Sequence, residues 1–295
     1  MTRLHSLKPA LIDAYRCITA PWRLLSWQKA QRQGTVPVGI LFYHRVADED
    51  PNPWTISCSA FRKQIDWLQR RFEIVSLVEA QNRIRSGQNR VPTLCLTFDD
   101  GYADNATFAL PLLIKRKIPV TYFVTTVHAT EGKPFDHDVE LGRPLPPNSI
   151  ETLRALADAG VEIGGHSRNH ANLGSMDDPE RLFDEVIVAT REMERLIERP
   201  VRYFAFPFGQ VENLNADVFR LAREHGFAGI CSAYGGWNEI GGDAFHLQRF
   251  HGDPELARLK NWLTFDPRKR KVWQSAVASQ MIDQGLETQE SPKHG

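Results

Sequence analysis

The chain has 295 residues, of which 42% are hydrophobic and 24% charged, and its 36 Lys and Arg balance its 36 Asp and Glu. A chain of this size buries roughly three-quarters of the surface that its unfolded form exposes, so a large core is expected and disorder of the whole chain is excluded. The neutral balance lacks the basic excess of most nucleic-acid-binding proteins, and we expect no nucleic-acid partner.

The chain divides into three predicted parts: a helical extension over 1–35, a main domain over 36–266, and a C-terminal helix with a flexible tail over 267–295. The extension lacks the apolar run of a secretory signal or a membrane-spanning helix, so we expect a cytoplasmic protein. Its basic, Trp-containing sequence leaves two interpretations open, a helix in peripheral contact with a membrane and a helix packed on the domain. The four cysteines are scattered and are predicted to be reduced thiols.

Short apolar runs alternate with helical patterns through the main domain. Such alternation is typical of a parallel sheet covered by helices. Ser59, Asn148 and Asp178 are predicted to cap three of these helices. The predicted strands are 38–44, 72–77, 93–100, 120–126, 161–166, 202–207, 228–233 and 246–250.

Polar residues follow the ends of several different strands: His44, the pair Asp99 and Asp100, His166, and the turn 207–209. An open doubly wound sheet gathers its functional residues mainly near one switch point, whereas a (β/α) barrel builds a site from many strand ends. No GxGxxG follows the first strand and no GxxxxGK[ST] occurs, which disfavours the nucleotide-binding folds. We predict an α/β fold, a distorted (β/α) barrel of seven or eight strands.

Two motifs predict a metal site. Asp99 and Asp100 close the apolar strand TLCLTF, where two adjacent carboxylates are costly unless a cation neutralises them. His166 and His170 have the i, i+4 spacing that places two imidazoles on one side of a helical turn. A strand-end Asp is often only a helix cap, and a lone HxxxH is often two surface histidines. Together, two histidines and a carboxylate form a common set of metal ligands.

Three motifs carry a resemblance to a known family: TFDDG at 97–101, HSRNH at 166–170 and RYFAFPFG at 202–209. In this order they resemble the polysaccharide deacetylase family, carbohydrate esterase family 4, with the NodB-like fold. The resemblance covers roughly residues 36–252 and implies a distorted barrel. It also implies a divalent metal, usually zinc, held by Asp100, His166 and His170, with Asp99 as catalytic base. The implied reaction removes N-acetyl groups from an N-acetylated amino sugar in a polysaccharide or glycoconjugate and releases acetate.

The chemistry of these residue types agrees with the implied roles. One carboxylate and two neutral imidazoles leave a bound divalent cation net positive, which lowers the pKa of its water to about 7. Asp99 can then accept a proton as water attacks an amide carbonyl. The turn 206–209 can donate a backbone N–H to the developing oxyanion, and the resemblance places that donor at Phe208.

The sequence departs from the family pattern beside the base. Many members have an arginine two residues before the proline of the third motif, and this arginine holds the catalytic base. Ala205 occupies that position here, and Arg202 lies on the opposite face of a regular strand. The partner of Asp99 therefore stays open.

A second departure concerns the general acid. Many members end on a strand of the type LxH, whose histidine protonates the leaving amine, but FHLQRFHGD at 245–253 does not have that pattern. In the circularly permuted poly-N-acetylglucosamine deacetylase branch the corresponding strand stands first. The resemblance then assigns the acid role to His44, with His251 as the alternative.

Other residues leave more than one interpretation. Trp237 fits the wall of a substrate pocket or an anchor of the barrel rim. His137 and Asp138 fit residues that reach the groove or solvated loop residues, and we predict the latter. The same site also fits an O-acetyl esterase or another C–N amide hydrolase, and a non-catalytic carbohydrate-binding barrel is the alternative outside the enzymes.

Overall fold

The structure is a computed structural model that describes residues 2–252 and 254–264. The predicted C-terminal segment 267–295 lies outside the described residues. No helix of the described part is long and apolar enough to cross a membrane. The strands are β1 (Val38–Tyr43), β2 (Arg45–Val46), β3 (Thr55–Ile56), β4 (Glu73–Ile74), β5 (Thr93–Phe98), β6 (Val120–Val124), β7 (Glu162–Gly165), β8 (Tyr203–Ala205), β9 (Gly229–Cys231), β10 (His246–Leu247) and β11 (Phe250–His251).

The helices follow the strands in alternation through the domain. They are α1 (Thr2–Gln33), α2 (Cys58–Gln69), α3 (Leu77–Ser86), α4 (Asp104–Thr107), α5 (Ala109–Lys115), α6 (Thr126–Glu131), α7 (Asp136–Glu140), α8 (Ile150–Asp158), α9 (Pro179–Phe183), α10 (Ala189–Ile197), α11 (Ala216–Glu224) and α12 (Leu256–Leu263). A π-helical turn, Asp184–Val188, joins α9 to α10, and 3₁₀ turns cover Leu173–Ser175 and Val211–Asn213.

One curved sheet organises the domain, with strand order β10-β9-β8-β7-β6-β5-β1-β11 and β4 paired to β5. Every ladder in it is parallel. Parallel strands need crossover connections on the faces of the sheet, which the helices supply. The predicted α/β barrel fold is therefore confirmed, and the carboxyl ends of its strands meet at one end of the barrel.

Side chains alternate between the two faces of each strand, and the two faces pack into two different hydrophobic clusters. Leu94, Leu96 and Phe98 of β5 point outward into a large cluster beneath the helices. Cys95, from the other face of the same strand, lies in a smaller cluster with Ile40, Phe123, Tyr203, Ala205, Cys231 and Leu247. This smaller cluster fills the barrel interior, so interior positions at the strand ends face a common space.

The two edge strands of the sheet are consecutive in the chain. β10 pairs with β9, and β11 pairs with β1, so the two residues between them, Gln248 and Arg249, link the two ends of the sheet. The sequence predicted a single strand over 246–250. No ladder joins β10 to β11 in the described residues, so only the chain itself connects the two edges of the sheet. Arg249 lies at this connection, which we call the seam of the barrel.

Two predicted helix caps are displaced by one or two residues. Ser57, not Ser59, accepts the backbone N–H of Ala60 at the start of α2. Ser149 caps α8 in place of Asn148, because the amide of Asn148 is buried against the carbonyls of Gly101 and Tyr102. The predicted cap at Asp178 is found as expected.

Helix α1 lies on α12 near the amino end of the barrel. The buried guanidinium of Arg23 donates to Thr19 Oγ1 on its own helix (2.7 Å) and to Asn261 Oδ1 at 2.8 Å. Trp27 contacts Trp237, with ring centroids 6.0 Å apart. The outer face of α1 leaves apolar side chains exposed, namely Leu11, Ile18, Trp22, Leu24 and Leu25.

Candidate active site

The structure brings the three predicted metal ligands together at the carboxyl end of the barrel. Oδ1 of Asp100 lies 3.4 Å from Nε2 of His166 and 3.3 Å from Nε2 of His170. The ligand atoms of all three residues lie within 4.8 Å of one another. Asp100 follows β5, and His166 follows β7, so parallel pairing through β6 places both motifs at the same edge.

The histidine motif is a loop rather than a helical turn. Ser167 and His170 both have positive φ, 63° and 56°, and these left-handed residues curl the chain so that the two imidazoles meet. Glu185, on the π-helical turn, accepts the backbone N–H groups of Arg168 and Asn169 at 3.0 Å each. The carboxylate of Glu185 thus stabilises the strained loop backbone between the two histidines. A regular helical turn would not contain such left-handed residues.

The donor set fits a divalent cation. Oδ1 of Asp100 is buried and has no hydrogen-bond partner in the described structure, although it faces both imidazoles. His166 donates from Nδ1 to the carbonyl of Ala205 at 2.8 Å, which leaves its Nε2 as the unprotonated nitrogen toward Asp100. An orphaned carboxylate oxygen beside a fixed imidazole lone pair is the arrangement that a metal completes.

Burial would raise the pKa of Asp100, but the facing imidazoles of His166 and His170 and that of His44, when they carry a proton toward the carboxylate, outweigh it and hold that pKa well below its usual range. The carboxylate is therefore ionised, as a metal ligand requires. Asp100 itself has positive φ, 74°, at the end of β5. The strained backbone turns its side chain away from that of Asp99.

Arg249 is the partner of Asp99 that the sequence left open. Its Nη1 and Nη2 donate to Oδ1 and Oδ2 of Asp99 at 2.7 and 2.9 Å, a bidentate pair with both side chains buried. The guanidinium also donates to the Ser232 carbonyl at 2.9 Å and lies over the rings of Phe42 and Phe123. Such a pair holds the Asp99 carboxylate in one orientation.

The sequence carried one signal for Arg249, a charged residue inside the short apolar strand HLQRF. Its contact with Asp99 could not be predicted, because the two residues are 150 positions apart in the sequence. Arg202, by comparison, pairs with Glu162 on the surface at the amino end of β8 and does not reach the site.

His44 follows β1 near the candidate metal set, and His251 of β11 lies next to His44. Their ring centroids are 5.7 Å apart. Burial lowers the pKa of His44, while the charges of Asp100 and Asp99 oppose that change, and its buried Nδ1 has no hydrogen-bond partner among the described residues. Its position on the interior face at the end of β1 places it beside Asp99, whose N–H donates to the carbonyl of Tyr43.

Two exposed aromatic side chains flank the site. Phe208 is 55% exposed, has φ of 60°, and its ring centroid lies 4.9 Å from that of His170. Its backbone N–H makes no hydrogen bond within the described part of the chain. Trp54 is 48% exposed, and its ring centroid lies 5.1 Å from that of His44. No sequence signal points to Trp54, because it stands in a loop without a motif.

Trp237 does not line the site. It is buried at the amino end of the barrel, where Asn238 bridges to Val38 at the start of β1 and the Trp237 ring packs on Trp27 and Phe250. The site lies at the opposite end of β1. Of the two interpretations offered for Trp237, the substrate pocket is therefore wrong, and its packing serves the core.

The prediction that Asp138 is solvated is also wrong. Its side chain is fully buried, within α7, and accepts hydrogen bonds from Tyr102 and Asn52. His137 beside it is partly exposed, and its ring centroid lies 6.4 Å from that of the ligand His170. The loop after β6 thus contributes a wall to the site.

Comparison with known proteins shows what the chain is similar to. The polysaccharide deacetylase family model matches residues 86–230, which include all three metal-ligand positions. YxkH of Bacillus subtilis (strain 168) is 23% identical over 206 residues, covering 68% of this chain and 66% of that protein. The peptidoglycan-N-acetylmuramic acid deacetylase PdaA of the same strain is 27% identical, covering 44% of this chain and 46% of that protein. The chain thus spans less than two thirds of the length of either relative.

Solved structures show the same fold. IcaB from Ammonifex degensii has a TM-score of 0.64 and 23% identity, covering 78% of this chain and 97% of its own. The Streptococcus pyogenes deacetylase PplD, solved with acetate, has a TM-score of 0.64 and 18% identity, covering 77% and 99%. The chain is thus similar to the polysaccharide deacetylase family, whose model matches residues 86–230, and it shares the barrel fold of these solved structures.

Proposed function

We propose that the protein is a metal-dependent N-deacetylase that removes acetyl groups from an N-acetylated amino sugar in a polysaccharide or glycoconjugate. Asp100, His166 and His170 hold the cation, which we propose to be zinc because two imidazoles and one carboxylate are a typical zinc set with positions left for water and substrate. When bound, the cation supplies a positive centre for the acyl oxygen and lowers the pKa of water.

The observation that carries the proposal is the buried ion pair between Asp99 and Arg249. Asp99 stands beside the metal-ligand set without belonging to it, and its carboxylate is held by two charge-assisted hydrogen bonds. A carbohydrate-binding barrel has no need of a second carboxylate so placed. A hydrolase needs one, because the attacking water must lose a proton as its oxygen bonds to the carbonyl carbon.

The remaining residues account for the rest of the reaction. We assign the N–H of Phe208, which has no acceptor among the described residues, as the donor to the oxyanion that forms at the carbonyl oxygen. The C–N bond then breaks, and the amine leaves with a proton that we assign to His44. An ester releases an alcohol, which depends less on that proton, so the buried imidazole beside Asp99 favours an amide substrate over an O-acetyl ester.

A glycan suits the surroundings of the site. Trp54 and Phe208 present exposed aromatic faces on the His44 side and the His170 side of the ligands. Flat aromatic faces pack well on the apolar faces of sugar rings. PdaA and the de-N-acetylase of Aggregatibacter actinomycetemcomitans, which shares the fold, carry acetylated amino sugars or de-N-acetylation in their names, which supports the same substrate class.

The test is metal analysis coupled to acetate release from a panel of N-acetylglucosamine oligomers and O-acetylated sugars. We expect Asp99→Asn to retain the cation and to lose about 10²–10⁴-fold in rate, the usual contribution of a general base. His170→Ala should lose both the cation and the activity. His225→Ala, at a partly exposed histidine directly after α11, is the matched control and should change neither.

Specific outcomes would contradict the proposal. Asp99→Asn activity within a few-fold of the parent would make Asp99 structural. Acetate release from O-acetylated sugars alone would identify an esterase. Failure to retain a cation, with no acetate released from any oligomer, would favour a binding barrel. To assign the acid, His44→Ala and His251→Ala are compared in their pH–rate profiles. Loss of the alkaline limb with the metal retained identifies the proton donor.

A further inference from the structure

A wholly buried carboxylate lies next to the candidate site and takes no part in the proposed reaction. Asp138, on the short helix α7, is fully buried, and no Lys or Arg pairs with its carboxylate in the described ranges 2–252 and 254–264. Burying an ionised group without a countercharge is costly, so its neighbours must compensate through hydrogen bonds. A buried carboxylate without a countercharge therefore points to a structural or functional role for Asp138.

Three polar side chains surround the carboxylate. The hydroxyl of Tyr102 donates to Oδ2 of Asp138 at 2.7 Å, and the amide of Asn52 donates to Oδ1 at 2.9 Å. Nε2 of His137 lies 3.6 Å from Oδ2 and 3.0 Å from the Tyr102 oxygen. Hydrogen bonds to an ionised acceptor are about twice as strong as neutral ones, which offsets the loss of water.

This network fixes the proton positions on His137. The Tyr102 hydroxyl gives its proton to Oδ2 of Asp138 at 2.7 Å. The Tyr102 oxygen can then only accept from the imidazole, which makes Nε2 of His137 the N–H donor. The other nitrogen, Nδ1, is left as an acceptor on a partly exposed ring.

The same network is joined to both sides of the site. Tyr102 is two residues after the proposed ligand Asp100, and the ring of Phe135 packs against both His137 and the proposed ligand His170, with centroids at 5.4 and 5.5 Å. On the other side, Oδ1 of Asn52 accepts the backbone N–H of Trp54 at 3.1 Å. One buried cluster therefore sets the loop that carries Trp54 and the helix that carries His137.

We propose that His137 binds the sugar, accepting at Nδ1 a hydrogen bond from a hydroxyl group outside the acetyl moiety, and that Asp138 is a positioning residue that acts through Tyr102. The inference rests on the proposed deacetylase function and names a specificity contact of that site. His137 lies too far from the ligand set to contact the reacting carbonyl, since its ring centroid is 6.4 Å from that of His170. A sugar ring held at the metal ligands extends over this distance.

The experiment compares two probes on the metal-loaded enzyme. N-acetylglucosamine oligomers present sugar hydroxyls, whereas 4-nitrophenyl acetate presents only an acetyl group. For His137→Ala we expect the KM for oligomers to rise about 10-fold, the equivalent of one hydrogen bond. The kcat for oligomers and the hydrolysis of 4-nitrophenyl acetate should change no more than about two-fold. His137→Gln keeps an acceptor oxygen and should recover part of the affinity.

Further variants separate positioning from support of the fold. Asp138→Asn and Tyr102→Phe should reproduce the KM effect of His137→Ala, and neither should add to it when combined with that change. Metal content and urea unfolding curves are measured on each variant, and His225→Ala is the control. If Asp138→Asn does not fold, the His137 variants, whose partly exposed ring makes them tolerable, decide the question.

Each result has a definite meaning. An unchanged oligomer KM in His137→Ala overturns the inference. Equal losses of kcat on oligomers and on 4-nitrophenyl acetate also overturn it, because they would show that His137 only supports the metal ligands. If the parent enzyme releases no acetate from any oligomer while it still retains the cation, the proposed function fails instead, and the two failures are thereby distinguished.

Discussion

The guanidinium of Arg249 lies fully buried between two phenylalanine rings, in a place where a charge is stable only with a partner. Asp99 supplies that partner, and each of the two groups makes the burial of the other tolerable. The pair does not need to add to stability in order to be kept, since buried ion pairs often break even against apolar side chains. Its value in this site is the fixed orientation of the Asp99 carboxylate.

Removing one member of this pair should be far more costly than removing both charges. Arg249→Met leaves a buried carboxylate unpaired and should destabilise the protein by about 3–5 kcal/mol, whereas the double variant Arg249→Met with Asp99→Asn should recover much of that loss. Arg202→Met, at an exposed pair with Glu162, is the control and should cost no more than about 1 kcal/mol. The free energy of unfolding in urea measures all three.

The coupling free energy between Arg249 and Asp99 shows whether the two residues act as a pair. If the losses of Arg249→Met and Asp99→Asn simply add in the double variant, the two groups do not act as a pair in solution. Activity provides a second measure, because Arg249→Lys keeps the charge but loses the bidentate geometry. We expect it to retain stability better than Arg249→Met and still to lose rate.

At the scale of elements, the short segment 246–251 supplies both edge strands of the sheet. Its first part, β10, extends the sheet beyond β9, and its second part, β11, extends the sheet beyond β1. His246 anchors the first part, since its Nε2 is hydrogen-bonded to Ser232 Oγ at 2.9 Å and its ring packs on Phe219 and Tyr234. The seam residue Arg249 follows three positions later.

Burial lowers the pKa of His246 to about 4, and this makes the anchor sensitive to acid. Between pH 6.5 and 4 the unfolded chain binds a proton that the folded protein does not take up, so the free energy of unfolding falls as the pH falls through this range. The loss reaches roughly 3 kcal/mol near pH 4 and is absent above pH 7. Other buried histidines contribute as well, so the comparison must be made with a variant.

His246→Gln keeps a hydrogen-bonding group toward Ser232 and does not titrate. We expect its free energy of unfolding to fall less steeply between pH 7 and pH 4.5 than that of the parent, measured in urea at each pH. His225→Gln is the matched control and should follow the parent. If the free energies of unfolding of the parent and of His246→Gln fall in parallel with pH, His246 is not the histidine that causes the loss of stability in acid.

At the scale of the whole molecule, α1 and the active site lie at opposite ends of the barrel. Arg23 fastens α1 to the end of α12 through Asn261 and Thr264. Of the two interpretations of the extension, the structure shows the packed helix, and contact of its exposed apolar face with a membrane stays a prediction. The separation of the two ends means that α1 can be loosened without disturbing the metal ligands.

Arg23→Met should therefore act locally. The buried carbonyls of Asn261 and Thr264 lose their donor, and we expect faster amide hydrogen exchange in α1 and α12, because these helices open as one unit. Protection of β5, β6 and β7 should be unchanged, and so should the metal content. Loss of protection in those central strands, or loss of the metal, would show that α1 is part of the cooperative core.

The sequence by itself predicted the fold class, which the structure confirms, and the three residues of the candidate metal site, which the structure brings together. Apolar runs separated by helical patterns specify a parallel sheet, and residues that follow parallel strands must meet at one edge, so Asp100 and His166 could be placed without coordinates. The helical spacing assumed for His166 and His170 was wrong, although the convergence was expected. The loop reaches the same result through two left-handed residues, Ser167 and His170.

Only the tertiary structure decided which side chains surround that set. Arg249 reaches Asp99 because the chain crosses the barrel seam between β10 and β11, a closure that no local pattern encodes. Asp138 appeared solvated because its neighbours in sequence are polar, whereas its burial depends on Tyr102 and Asn52 from distant segments. Strand periodicity fixes the direction of a side chain locally, but its partner depends on how the elements pack, and so Trp237 lies in the core at one end while Trp54 faces the site at the other.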